Sequence, residues 1–109
     1  EILLQQQLDS MGYETRRTHL SAFPDIIAWN HTTVLFIEVK SITLKSNKLP
    51  IKARINSSLT KFRTNARLLK AVYSGASLLC YVRFDNNWLA YQWINDKAVQ
   101  TESIINEER

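Results

Sequence analysis

Apolar residues at Leu4, Leu8 and Met11 recur at helical spacing and predict a helix over Glu1–Met11, with Gly12 in the usual C-terminal stop position. Tyr13–Thr18 is polar-heavy and predicts a short strand, followed by a connecting loop over His19–Phe23. Two apolar runs, Ile26–Trp29 and Val34–Val39, flank a polar centre at Asn30–Thr33 and predict a β-hairpin. Ile42–Asn56 is basic, contains Pro50, and is expected to be a long loop or arm. Ser57 or Ser58 then caps a helix over Leu59–Tyr73, whose apolar stripe is Leu59, Phe62, Ala66, Leu69 and Tyr73 and which Gly75 ends. Ser77–Phe84 predicts an apolar strand, Asp85–Asn87 a turn, and Trp88–Ile94 the last strand. The tail from Asn95 is polar, with a helix expected from Glu102. No repeat or internal boundary appears, so residues 1–109 form one domain with a core of about 1–94 and a polar tail of 95–109. The order α-β-β-β-α-β-β implies an α/β fold, a mixed central sheet with a helix on each side.

The hairpin carries the chemistry. With His31-Thr32 as a two-residue loop, Asn30 pairs with Thr33, and counting outward sets Asp25 directly opposite Glu38. Lys40, two residues beyond Glu38, falls on the same face. Like charges opposed on a sheet destabilise it, and close carboxylates resist sharing negative charge without a cation between them. Oxygen ligands of this kind suit a hard divalent ion such as Mg²⁺, and a neighbouring ammonium can contact a phosphate or orient a water. Such a group is equipped for metal-assisted hydrolysis of a phosphodiester. The plainer alternative is a solvated hairpin in which Asp25 ends a turn and Glu38 pairs with Lys40 on the surface.

Composition narrows the class. An apolar fraction of 45% and a charged fraction of 22% over 109 residues are those of a folded, globular domain. Cys80 is the only cysteine, which excludes an internal disulfide and fits a reducing, cytoplasmic setting. No apolar run approaches the roughly 18 residues of a membrane span, so no membrane partner is expected. The sequence opens at Glu1 without methionine, and preceding residues are expected. Net charge is +4 and unevenly spread: Lys40 to Lys70 holds nine basic residues and no acidic one, whereas Asp85 to Arg109 holds five acids and two bases. Beside a phosphodiester-cleaving group, that asymmetry points to a nucleic acid face.

Pro24-Asp25, twelve residues, then Glu38-Val39-Lys40 resembles the signature of the PD-(D/E)XK nuclease superfamily, whose fold is the restriction-endonuclease-like core. By average residue frequencies such a pattern arises by chance in roughly 2–3% of chains this size, and requiring both halves on adjoining apolar strands lowers that further. The element order is similar to the archaeal Holliday-junction resolvase branch, in which a glutamate on the first helix precedes a Gly-aromatic pair by eleven residues and an arginine follows. Glu1, Gly12-Tyr13 and Arg16 stand in those places, and the resemblance runs from Glu1 to about Ile94. It implies Mg²⁺ or Mn²⁺ held by Asp25, Glu38, the Val39 main-chain carbonyl and Glu1, with Lys40 completing the catalytic group. Glu1 has a plainer reading too, as an acid favoured at a helix N-terminus.

The pattern departs from the resolvases in one place. Their mobile, Gly- and Ser-rich loop before Pro-Asp is longer; here only Thr18–Phe23 is available, with Ser21 as its single candidate serine. Further contacts to nucleic acid are expected from Arg16, from Lys45, Lys48, Lys52 and Arg54 in the arm, and from Arg63, Arg67 and Lys70 on one flank of the long helix. The alternative for the helix flank is a solubilising surface. Trp29, Trp88, Tyr91 and Trp93 could stack on bases, but strand aromatics are more often core. His19 and His31 lack the companions that a histidine-metal nuclease needs, and Cys80 is a small buried hydrophobe. The expected function is a metal-dependent endonuclease of branched DNA acting as a homodimer, with an apolar patch around Trp88 as the contact. Alternatives are a restriction or homing-type duplex nuclease, an enzyme acting on RNA or single strands, and a non-catalytic nucleic-acid-binding module.

Overall fold

A computed structural model describes residues 2–18, 24–42, 50–72, 75–84 and 87–103. The first element is helix α1 (Ile2–Ser10), which buries Leu4 and Leu8. Gly12, at φ +92°, ends it. The Tyr13 amide donates to the Leu8 carbonyl at 3.0 Å and the Gly12 amide to that of Asp9 at 3.1 Å. This pair of reversed bonds satisfies carbonyls that the last turn would otherwise leave open. Tyr13 and Leu8 then join the same core cluster, so the stop also aims the chain into the sheet.

Strands β1 (Glu14–Arg17), β2 (Ile26–Trp29), β3 (Val34–Ile42), β4 (Ser77–Phe84), β5 (Asn87–Ile94) and β6 (Lys97–Thr101) form one six-stranded sheet in chain order. Every neighbouring pair is antiparallel except β3 and β4, which run parallel. The crossover between those two is helix α2 (Ile51–Val72). The sheet is therefore mixed, as the order of elements implies.

Alternation along each strand sorts the core into two layers. Ile26, Ala28, Leu35, Ile37, Tyr81, Trp88 and Ala90 face α1 with Leu4 and Leu8. Leu78, Cys80, Val82 and Trp93 face α2, meeting Leu59, Phe62 and Ala66. Phe62 is fully buried and sets its ring edge-on to Trp93, with centroids 6.2 Å apart. One helix thus covers each face.

Four expectations need correction. The basic segment is not a loop up to Asn56: Ile42 extends β3, and α2 begins directly after Pro50, whose carbonyl accepts the Arg54 amide at 3.1 Å. Pro50 lacks an N–H, which the position before a helix does not need, and Ile55 carries the apolar stripe back one more turn. The Ser57 and Ser58 caps accordingly sit inside the helix. α2 ends at Val72, and between it and the exposed Gly75 residues 73–74 lie outside the described residues. The polar tail contains β6, since Asn95 (φ 51°) and Asp96 (φ 62°) make a two-residue turn that returns Lys97 beside Ile94. Glu102 is outside any regular element, and residues 104–109, where the tail helix was expected, lie outside the described residues. Lastly, Trp88 is 9% exposed and packs on Tyr81 in the α1-side core, so its own ring is largely withdrawn from the surface.

No helix among the described residues is long and apolar enough to cross a membrane. Gly12 gives a direct check on the first chain stop. A Cβ there meets nothing within 4 Å, so substitution tests backbone conformation alone. Gly12→Ala should lower stability by about 1 kcal/mol in urea unfolding.

Candidate metal centre

The β2–β3 pairing sets Ile26 opposite Ile37 and Trp29 opposite Val34, a register that carries Asp25 to the place across from Glu38. The turn closes as expected: the Asn30 amide donates to the Thr33 carbonyl at 3.0 Å, and Asn30 Oδ1 accepts from the amides of Thr32 and Thr33. At the open end Asp25 is held from three sides. Its amide donates to the Ile37 carbonyl at 2.9 Å, and its carbonyl accepts from the Thr18 amide at 3.0 Å. Its Oδ2 accepts from the Val39 amide at 2.8 Å. The Thr18 hydroxyl, donating to the Pro24 carbonyl at 2.6 Å, pins the residue before it.

β2 ends at Ile26, so the Val39 main chain lies beyond the ladder on that edge. A strand residue directs its N–H and C=O to the same edge, so the Val39 carbonyl is turned toward Asp25 as its amide is. Glu38 projects to the α2 face, with Cys80 beside it on β4. It is only 4% exposed. Lys40, on the same face, places Nζ 3.0 Å from Glu38 Oε2. The contact is close enough for an ion pair, yet its angles are not those of a hydrogen bond, and Oε2 is buried without a hydrogen-bond partner. Distance establishes the Coulombic attraction; it does not satisfy the oxygen's lone pairs.

That orphaned oxygen meets the test for a cation. Two carboxylates and a main-chain carbonyl on adjoining strands make a hard, all-oxygen donor set, and Mg²⁺ is usually held by one or two carboxylates with several waters. Among the described residues no group of three or more His, Cys, Asp or Glu side chains could hold a metal. Glu1, expected as the third carboxylate, lies outside the described residues, as do Ser21, Lys45 and Lys48.

The other expected residues separate. Arg16 pairs with Ile27 and is exposed on the Asp25 face, whereas Arg17 pairs with Ile26 on the α1 side. Lys52 and Arg54 stand on the first turns of α2. Arg63 is tied to Asn56, Nη2 donating to Oδ1 at 2.6 Å. Arg67 lies over the Trp93 ring at 5.6 Å, and Lys70 Nζ donates to the Ala76 carbonyl at 2.8 Å. Arg63 and Arg67 therefore sit toward β5, two strands from β3, and are not brought to Asp25 and Glu38.

No family model matches this sequence, and no curated protein matches it. Among solved structures it is similar to a Holliday junction resolvase from Archaeoglobus fulgidus, an archaeal hyperthermophile. The TM-score is 0.49 at 24% identity, covering 98% of this chain and 88% of that one.

Cys80 is the member of the neighbourhood that spacing alone misses, because only the parallel pairing of β3 with β4 sets it beside Glu38. Burial first, and then the Glu38 carboxylate, push its thiol up to about 12, with Asp25 adding and Lys40 opposing. The folded protein thus keeps this proton where the unfolded chain loses it. Stability from Cys80 is complete below the unfolded value, about 9.0, and is lost as pH rises toward 12. Urea unfolding between pH 9 and 11 should show a fall of up to about 1.4 kcal/mol per pH unit from this group, which Cys80→Ala removes.

Proposed function

We propose that this chain is a metal-dependent endonuclease that hydrolyses phosphodiester bonds in DNA. The observation that carries the reading is the buried carboxylate of Glu38, set across the hairpin from Asp25, with Oε2 3.0 Å from Lys40 Nζ and no hydrogen bond accepted. A sheet built for stability alone would not keep a carboxylate in that position.

Asp25, Glu38 and the Val39 carbonyl, with Glu1, would hold Mg²⁺ or Mn²⁺. Bound there, the ion supplies a water of lowered pKa and stabilises charge on the phosphoryl oxygens. The chain's own residues do the rest. The Val39 amide holds Asp25 Oδ2, which fixes the carboxylate plane. Lys40, one-third exposed, keeps its ammonium between the buried Glu38 and solvent, where it can orient the attacking water or neutralise developing charge. Arg16, exposed on the same face, would contact a backbone phosphate.

The motif resemblance to the resolvase branch favours branched DNA as substrate and a homodimer as the working form, since a twofold enzyme cuts two strands at matched positions. The test is a panel of four-way junction, linear duplex, single-stranded DNA and RNA, each with Mg²⁺, Mn²⁺ or EDTA. Metal-dependent paired nicks in the junction alone are expected. Cutting of duplex or single strands retains the chemistry and removes the branch preference; salt-sensitive binding without any cutting overturns the enzyme. Asp25→Asn and Lys40→Gln, which keep polar groups in place, should slow cleavage by roughly 100-fold or more.

Metal binding is separable from turnover. Wild-type protein should melt higher with Mg²⁺ or Mn²⁺ than in EDTA, because the ion binds only the folded state. Glu38→Gln should remove that rise while melting above wild type in EDTA, since the buried charge is gone. An unchanged metal response in this variant rejects Glu38 as a ligand.

A further inference from the structure

A cleft of about 420 Å³ opens on the α2 side of the sheet, between the first half of α2 and the β5–β6 hairpin. It lies toward the β6 edge, away from the β2–β3 carboxylates. Its floor is apolar, with Leu59 buried at the bottom and Leu89 half-buried beside it. Its rim carries Lys52, Arg63, Tyr91 and Gln100, and none of the described residues lining it is acidic.

The rim is already organised. Arg63 donates to Asn56 twice, from Nη2 to Oδ1 at 2.6 Å and from Nη1 to the main-chain oxygen at 3.3 Å, so its guanidinium is held in place before any ligand arrives. Burial first raises the Tyr91 hydroxyl above its usual value, with Cys80 adding and Arg63 opposing, which keeps it a neutral donor on a half-buried ring. A concave, mainly apolar site of this volume with few convergent polar groups is the usual form of a small-ligand pocket. An aromatic ring and a fixed guanidinium over an apolar floor suit a planar base, and an exposed ammonium at the mouth suits its phosphate.

We propose that this cleft takes an unpaired nucleotide of a nucleic acid strand, the base against Tyr91 and Leu89 and the phosphate on Lys52 and Arg63. The inference rests on the nucleic acid reading of the carboxylate site but uses different residues. It would give the protein a means of sensing single-stranded character in a bound nucleic acid, without base-pair readout.

The test is equilibrium binding in EDTA, so that cleavage plays no part, of a blunt duplex against the same duplex with a short single-stranded overhang. Wild type should prefer the overhang by roughly tenfold, the scale of one stacked base. Tyr91→Leu should remove the preference and leave blunt-duplex affinity in place, while Tyr91→Phe retains it. Should Tyr91→Leu melt too low to assay, Gln100→Glu, at an exposed rim position, should remove the preference by placing a carboxylate against the phosphate. Equal affinity of wild type for the two duplexes, or a preference that survives both Tyr91→Leu and Gln100→Glu, overturns the cleft. Binding to neither duplex overturns the nucleic acid reading itself. An overhang preference in a protein that cuts nothing keeps the cleft and rejects the nuclease.

Discussion

The hydrogen bond from the Val39 amide to Asp25 Oδ2, at 2.8 Å, is the constraint on which the rest of the site depends. It lies outside the β2–β3 ladder, at the end where the strands would otherwise be free to splay. Because side chains alternate with a period of two, a slip of one residue would send Glu38 and Lys40 to the α1 face and Ile37 and Val39 to the other. The tight turn at Asn30–Thr33 fixes the register from one end, and Asp25 fixes it from the other. One carboxylate therefore serves the fold and the proposed chemistry together.

Glu38 shows the opposite balance. It stands between β2 and Cys80, with the Lys40 ammonium 3.0 Å from Oε2 and no hydrogen bond to that oxygen. Nothing in the packing of the α2 layer requires a charge there. The cost is local and is borne by the two cores on either side of the sheet. Cys80 registers the same charge from the neighbouring strand, where it and burial together make the thiol inert.

Basic residues on α2 are less available to a polyanion than their number suggests. Lys70 closes the chain after the helix by binding the Ala76 carbonyl, Arg67 covers the Trp93 ring, and Arg63 is tied to Asn56. These contacts hold α2 on its face, and of the three only Arg63 lines the open cleft, beside Lys52. Under the proposed function, phosphate contacts would come from Arg16 on the carboxylate face and from Lys52 and Arg63 at the cleft.

The hairpin, its register and the common face of Asp25, Glu38 and Lys40 were legible in the amino-acid sequence, because they follow from alternation and a turn within a span of local contacts. The same locality made Gly12 legible as a stop, where a left-handed residue lets two amides turn back on the helix. Tertiary structure alone decided the rest. Ile42 joins β3 only because β4 lies parallel beside it, and Ile55 lengthens α2 only because the sheet offers an apolar surface to bury it. Lys97–Thr101 becomes a strand because the free edge of β5 supplies hydrogen-bond partners that its composition does not announce. Cys80 reaches Glu38 through the pairing of β3 with β4, and Trp88 enters a core shared with Leu4 and Leu8 of α1, contacts between segments far apart in the chain that no local pattern can encode.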